Sequence, residues 1–147
     1  MQELCSLTDG KKQTDKTLIN LDVRYLRGER IDKMLSSGKY IPAKSLLILV
    51  DGENSGEVFH TPIEGYQGST FKQLAISENM NTNYILQVIN LHRKILKDNK
   101  IGSAIPHLNK KLFKAIKVPI PPYNEQQRIV DAINIEFKHL GTIMESL

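Results

Sequence analysis

Cysteine is nearly missing from this sequence: Cys5 stands alone, so no internal disulfide can close and a reducing cytosol is the expected setting. No apolar run approaches the length of a membrane span. Met1 leads into Gln2, Glu3 and Cys5, not into a basic and then apolar leader, so a cytoplasmic protein without membrane association is expected. His60, His92, His107 and His139 are scattered, with no pair at metal-ligand spacing and no Cys-x-x-Cys. Neither a metal nor a cofactor is expected, and nothing argues for a Cys/His catalytic pair. Internal repeats and low-complexity segments are absent too.

What remains is an ordinary globular composition, 40% apolar and 24% charged, with room in 147 residues for one domain and an appendage. The net charge is +4 and the pI about 9.1, an excess too common to identify a partner. Its distribution says more. Lys11, Lys12, Lys16, Arg24, Arg27 and Arg30 form one group. Arg93, Lys94, Lys97, Lys100, Lys110, Lys111, Lys114 and Lys117 form a second, interrupted by Asp98. Either group alone reads equally well as a solvated surface. Two groups on one small domain fit better with a polyanion touching several loops.

Along the chain, Leu18 to Val23 alternates as a strand, preceded by a polar turn from Thr8 to Gln13. Ser36 to Lys39 is a second break, and Tyr40-Ile41-Pro42 is extended by its proline. Leu46-Leu47-Ile48-Leu49-Val50 is a continuous apolar run, the pattern of a strand buried on both faces. The polar loop Asp51 to Gly56 returns the chain into a strand at Glu57 to His60, and another runs from Ser69 to Ile76. Asn81 or Thr82 opens a helix whose apolar positions Tyr84, Ile85, Val88, Leu91, Ile95 and Leu96 carry it to near Asn99. A short helix over Lys110 to Ala115 and a last strand over Ile116 to Ile120 complete the head.

Three prolines, Pro119, Pro121 and Pro122, then stop both helix and strand. Asn124 is positioned to cap the next helix, with Gln127 closing a capping box. Beyond it Val130, Ile133, Phe137, Leu140, Met144 and Leu147 are spaced 3, 4, 3, 4, 3, the a/d repeat of a coiled coil. An amphipathic helix folded onto its own domain has a similar stripe, but usually a broader one. The expected fold is thus α+β: a compact mixed-sheet head over 1–120, then a proline turn and coiled-coil-type helix over 121–147 that requires a partner helix.

Two segments invite a chemical reading. Asp51 to Gly56 lacks the Gly-Lys-Ser/Thr ending of a nucleotide P-loop and leads into a strand, not a helix. It reads better as a hairpin tip whose glycines allow close approach to a DNA backbone. Ile120-Pro121-Pro122-Tyr123 is similar to the Asn/Asp-Pro-Pro-Tyr loop of amino methyltransferases. Ile120 cannot accept a hydrogen bond from a target amino group, and no glycine-rich loop for S-adenosylmethionine exists. No active site is expected. Candidate DNA contacts are Lys11, Lys12, Arg24, Arg27 and Arg30, with Asn54 and Ser55 at the hairpin tip.

The segments Gly102-Ser103-Ala104-Ile105-Pro106-His107-Leu108-Asn109, Ile116-Lys117-Val118-Pro119 and Pro121-Pro122-Tyr123-Asn124-Glu125-Gln126-Gln127-Arg128-Ile129-Val130 resemble the end of a target recognition domain in type I restriction–modification specificity subunits. The opening Leu4 to Lys11, the run Tyr40 to Ile48 and the loop Gly52 to Val58 are similar to that family as well. The resemblance implies a non-catalytic reader of double-stranded DNA. In that family a head reads one half of a bipartite target, and a helix spaces it from a second head. The helices dock methyltransferase (modification) subunits, which recruit restriction subunits. A full subunit has two heads and two helices, and this chain has one of each. It is therefore a half-subunit pairing with another copy or a second specificity half, a truncated form, or part of a longer protein. The competing reading is a dimerising or regulatory fragment that binds modification subunits without reading DNA.

Overall fold

The structure, a computed structural model, describes residues 1–29 and 32–146. Among the described residues nine strands form two sheets. The first, in the order β1 (Cys5–Thr8), β9 (Phe71–Ile76), β6 (Leu46–Leu49) and β7 (Val58–His60), is antiparallel throughout. The second has the order β2 (Lys11–Gln13), β5 (Gly38–Ile41), β8 (Gly65–Gln67), β3 (Leu18–Leu21) and β4 (Met34–Leu35). Only the β3–β8 pair in it is parallel.

Strand β6 explains the layering. All four of its residues are buried, and period-2 alternation sends them to two different cores. Leu46 and Ile48 join Val50 in a core with Leu74, Ile85, Ile89, Leu96, Phe113 and Val130, from one strand and four helices. Leu47 and Leu49 pack with Leu21, Ile41 and Phe71 between the two sheets. The molecule is therefore helices on sheet on sheet, with the apolar run forming the wall common to both cores. Truncating Ile48 or Leu47 to Ala would cost about 2–5 kcal/mol by loss of transfer energy plus a cavity.

The helices are α1 (Val23–Leu26), α2 (Thr82–Leu91), α3 (Arg93–Asp98), α4 (Lys110–Ala115) and α5 (Tyr123–Glu145). Side-chain caps set three starts: Asp22, Asn81 and Asn109 accept from the backbone N–H of Tyr25, Tyr84 and Leu112 at 2.9, 3.0 and 3.0 Å. Asp22 thus ends the strand begun at Leu18 earlier than alternation suggests. The single helix expected to reach Asn99 is broken at His92. There the imidazole Nδ1 lies 2.8 Å from the Val88 carbonyl, and the His92 N–H is shared between the Val88 and Ile89 carbonyls at 3.2 and 3.1 Å. The polar turn expected over Thr8 to Gln13 is only Asp9-Gly10; Lys11–Gln13 is strand β2.

Two further expectations fail at the proline segment. Residues 116–120 form no strand. Pro119 has no N–H for a ladder, and its carbonyl accepts instead from the Tyr84 hydroxyl at 2.7 Å. Nor does Asn124 cap α5. The helix begins at Tyr123 with Pro122 at the N-cap, whose carbonyl accepts from the N–H groups of Glu125 and Gln126 at 2.8 and 3.1 Å. Gln127 makes no capping box; it accepts from Asn81 Nδ2 at 2.8 Å and donates to Asp131 at 2.9 Å.

The fastening residue is the buried Gln126. Its Oε1 accepts from the Asn81 N–H, and its Nε2 donates to the Pro121 carbonyl, both at 2.9 Å. One side chain thus holds the N-terminus of α2, the proline turn and α5 together. Gln126→Leu conserves shape but orphans the buried Asn81 N–H, at about 1–3 kcal/mol, and releases the half-buried Pro121 carbonyl. Urea unfolding should show that loss, whereas Asn124→Ala, on an exposed non-cap position, should stay within about 0.5 kcal/mol.

Candidate nucleic-acid interface

The β6–β7 hairpin is a closed turn. Gly52 and Gly56 take φ of 103° and 98°, values suited to glycine. Ser55 is 1% exposed, and its hydroxyl donates to the Gly52 carbonyl at 2.6 Å. Ser55 is therefore a brace inside the loop and not an available DNA contact, contrary to expectation; Asn54 is exposed at the tip. A neighbouring segment pins the hairpin: Gly52 N–H donates to Pro106 and Leu108 N–H to Val50, both at 2.7 Å.

Basic side chains near this hairpin are committed to its carboxylates. Lys100 pairs with Glu53 at 3.2 Å, and His107 Nδ1 lies 2.6 Å from Asp51. Arg27 pairs with Glu57 and lies over the Phe59 ring at 5.7 Å from its centroid. Arg27 thus ties α1 to β7 and is only in part available to a polyanion. Arg24 is exposed on α1, and Arg30 lies outside the described residues. Lys11 and Lys12 are exposed on β2, an edge of the five-stranded sheet. In the second basic group, Lys94 and Lys97 project from α3 and Lys110, Lys111 and Lys114 from α4, all exposed.

Sequence reasoning passed over Asp9, Lys39 and Lys72. Asp9, between β1 and β2, accepts from Gln67 Nε2 at 2.9 Å, from Lys72 at 2.9 Å and from Lys39 at 3.1 Å. The Gln67 hydrogen bond, then Lys72 and Lys39, hold its carboxyl well below the usual range. These residues are scattered in sequence, so only strand pairing brings them together. The signal available beforehand was a lysine, Lys72, directly after the buried Phe71 in a strand.

Groups that could carry covalent chemistry are not assembled. Cys5 is buried, and burial raises its thiol from 9.0 to about 11, leaving it protonated at neutral pH. Among the described residues no three His, Cys, Asp or Glu side chains gather as metal ligands, and no helix is long and apolar enough to cross a membrane. Ile120 and Tyr123 are both exposed at the entry to α5.

The arm departs from a uniform seam. Val130 is buried in the head's core and Ile133 is half-buried, so the first turns of α5 belong to the head. Phe137, Leu140 and Met144 are 66%, 55% and 68% exposed; Leu147 lies outside the described residues. A nearly apolar groove of about 570 Å³ lies between α2 and α5, lined by Tyr84, Val88, Leu91, Ile133 and Phe137.

A two-sheet α+β head with an apolar-faced helical arm and lysine-bearing edges is the layout of a DNA specificity domain. Residues 3–140 match the family of the type I restriction modification DNA specificity domain, and the chain belongs to it. It is 30% identical over 131 residues to the type I restriction enzyme MjaVIII specificity subunit of Methanocaldococcus jannaschii, covering 86% of this chain and 31% of that protein. The HsdS subunit of Thermoanaerobacter tengcongensis superposes with a TM-score of 0.70 at 16% identity, over 99% of this chain and 38% of that one. A chain solved in work on complex assembly and conformational transition of the type I R-M system superposes at 0.72 with 15% identity, over 98% and 38%. This chain thus spans about a third of the length of the curated relatives it matches.

Asp9 supplies a pH prediction. Its carboxyl is depressed in the folded state, so its stabilising contribution is complete above the ordinary value of 3.8 and fades as the pH falls below it. Asp9→Asn should therefore flatten the fall in unfolding free energy between about pH 5 and about pH 2, read by urea titrations. An unchanged acid slope would remove Asp9 from the linkage.

Proposed function

We propose that this chain recognises double-stranded DNA as the specificity element of a type I restriction–modification system. The head reads one half of a bipartite target, and the arm holds that head beside a second specificity half and the modification subunits. The observation that carries this reading is the family match, which runs through head and arm together over residues 3–140. The exposed a/d side chains Phe137, Leu140 and Met144 support the second half of it. An apolar stripe left in water beyond the head is a helix face without its partner.

The chain's contribution on this reading is placement. Methyl transfer and cleavage belong to other subunits, and modification subunits recruit the restriction subunits. Purified chain with labelled S-adenosylmethionine, Mg²⁺ and duplex should yield neither methylated nor nicked DNA until a modification subunit is added. Fluorescence anisotropy with random duplex should show binding that weakens steeply with salt. A chain that binds modification subunits but no duplex at low salt would instead be the regulatory fragment.

The arm is tested separately. Leu140→Asp with Met144→Asp places charge on the outer stripe, where burial against a partner helix would cost several kcal/mol. Light scattering should show loss of self-association or of modification-subunit binding. The urea midpoint of the head should not move, because neither residue belongs to its cores. A double variant that associates like the parent would reject the stripe as an interface.

A further inference from the structure

We propose that the phosphate backbone of duplex DNA follows a lysine track across the junction of the two sheets into a groove between β1 and α4. This rests on the DNA-recognition reading above and assigns it a surface.

The track begins on the edge of the five-stranded sheet. Lys12 lies directly opposite Lys39 in the β2–β5 register, so both side chains stand on one face; Lys11 opposes Tyr40 and stands on the other. Lys39 is held by Asp9 at 3.1 Å, and the same carboxylate holds Lys72 of β9 at 2.9 Å. Asp9 therefore joins the sheets and orients two ammonium groups while offsetting the charge of one. Lys72 in turn lines a groove of about 620 Å³ with Ser6 of β1 and Lys110, Phe113 and Lys114 of α4; Glu3 is the carboxylate on its lining. Lys110 and Lys114, one helical turn apart, share a face of α4. Phe113, buried in the helical core, fixes that helix against the sheet.

Charge placement on the sheet edge and on α4 supports this surface. Like charges directly across a strand pair or four apart on a helix destabilise a fold. Both arrangements occur here, Lys12 with Lys39 and Lys110 with Lys114. Several cations off the track are matched within the chain: Arg27 with Glu57, Lys100 with Glu53, Lys16 with Glu64. No described carboxylate pairs with Lys12, Lys110 or Lys114. A row of phosphates would relieve the repulsion along the whole track, and the half-polar groove admits a backbone edge.

The test uses the full chain and fluorescence anisotropy with a random duplex over a salt series. Lys110→Gln with Lys114→Gln should lower the slope of log K against log salt by about 1.8, at 0.9 per phosphate contact. Lys94→Gln with Lys97→Gln on α3, an equal change in net charge, should leave the slope as it was. Lys12→Gln should lower it by about 0.9 and Lys11→Gln should not. If the parent chain binds duplex but the α4 and α3 double variants behave alike, the track is overturned and DNA recognition stands. If the parent chain binds no duplex, the recognition reading fails and the track with it. Unfolding midpoints of the four variants, all at exposed positions, exclude loss of fold as the cause.

Discussion

The structure turns on a buried amide. Gln126 has a donor and an acceptor, which meet the half-buried Pro121 carbonyl and the buried Asn81 N–H, the latter shut away from water. Asn81, its main partner, spends its backbone N–H on Gln126, its amide on Gln127 and its side-chain oxygen on the first turn of α2. The start of α2, the prolines and the start of α5 are thus one hydrogen-bonded unit. Tyr84 extends it by donating to Pro119. The arm leaves the head in a direction fixed by directional bonds, with Val130 adding apolar contact. Prolines contribute by removing donors and stiffening φ; the Pro119 and Pro121 carbonyls meet side chains and the Pro122 carbonyl meets the first turn of α5.

This arrangement separates the two ends of α5. Up to Val130 the helix is part of a domain interior; past Ile133 its apolar residues stand in solvent. A helix of 23 residues would be marginal by itself in water. Here its first turns are nucleated by the head, so the outer turns are extended from a formed base. A partner helix would meet a face that is already ordered, and less of the association energy would go into folding it.

Much of this was legible in sequence, and the failures have physical reasons. A continuous apolar run marked β6, glycines marked its hairpin, and Asn81 marked a helix start because cap chemistry is local. Strands β2, β4 and β8 have two or three residues each, too short for any periodicity to register. The break at His92, where the backbone N–H is shared between two carbonyls, leaves no mark in the apolar spacing. Gln126 was missed because glutamine is usually exposed. Yet it lies four residues before Val130 and so continues the a/d spacing one step into the head. Of the candidate contacts, Lys11, Lys12, Arg24 and Asn54 are exposed, Ser55 is enclosed, and Arg27 is tied to Glu57. The gathering of Lys39 and Lys72 on Asp9 depends on long-range pairing and could not be read locally.

Strand β6 carries one more consequence. Its alternate residues seal the helical core and the inter-sheet core from opposite sides of a single backbone. Neither core can open without exposing a strand that the other needs buried. The second sheet cannot peel away as an independent subdomain while the helices stay packed. Both layers should melt in a single cooperative transition, with no long-lived half-open form to blur the position of one sheet relative to the other.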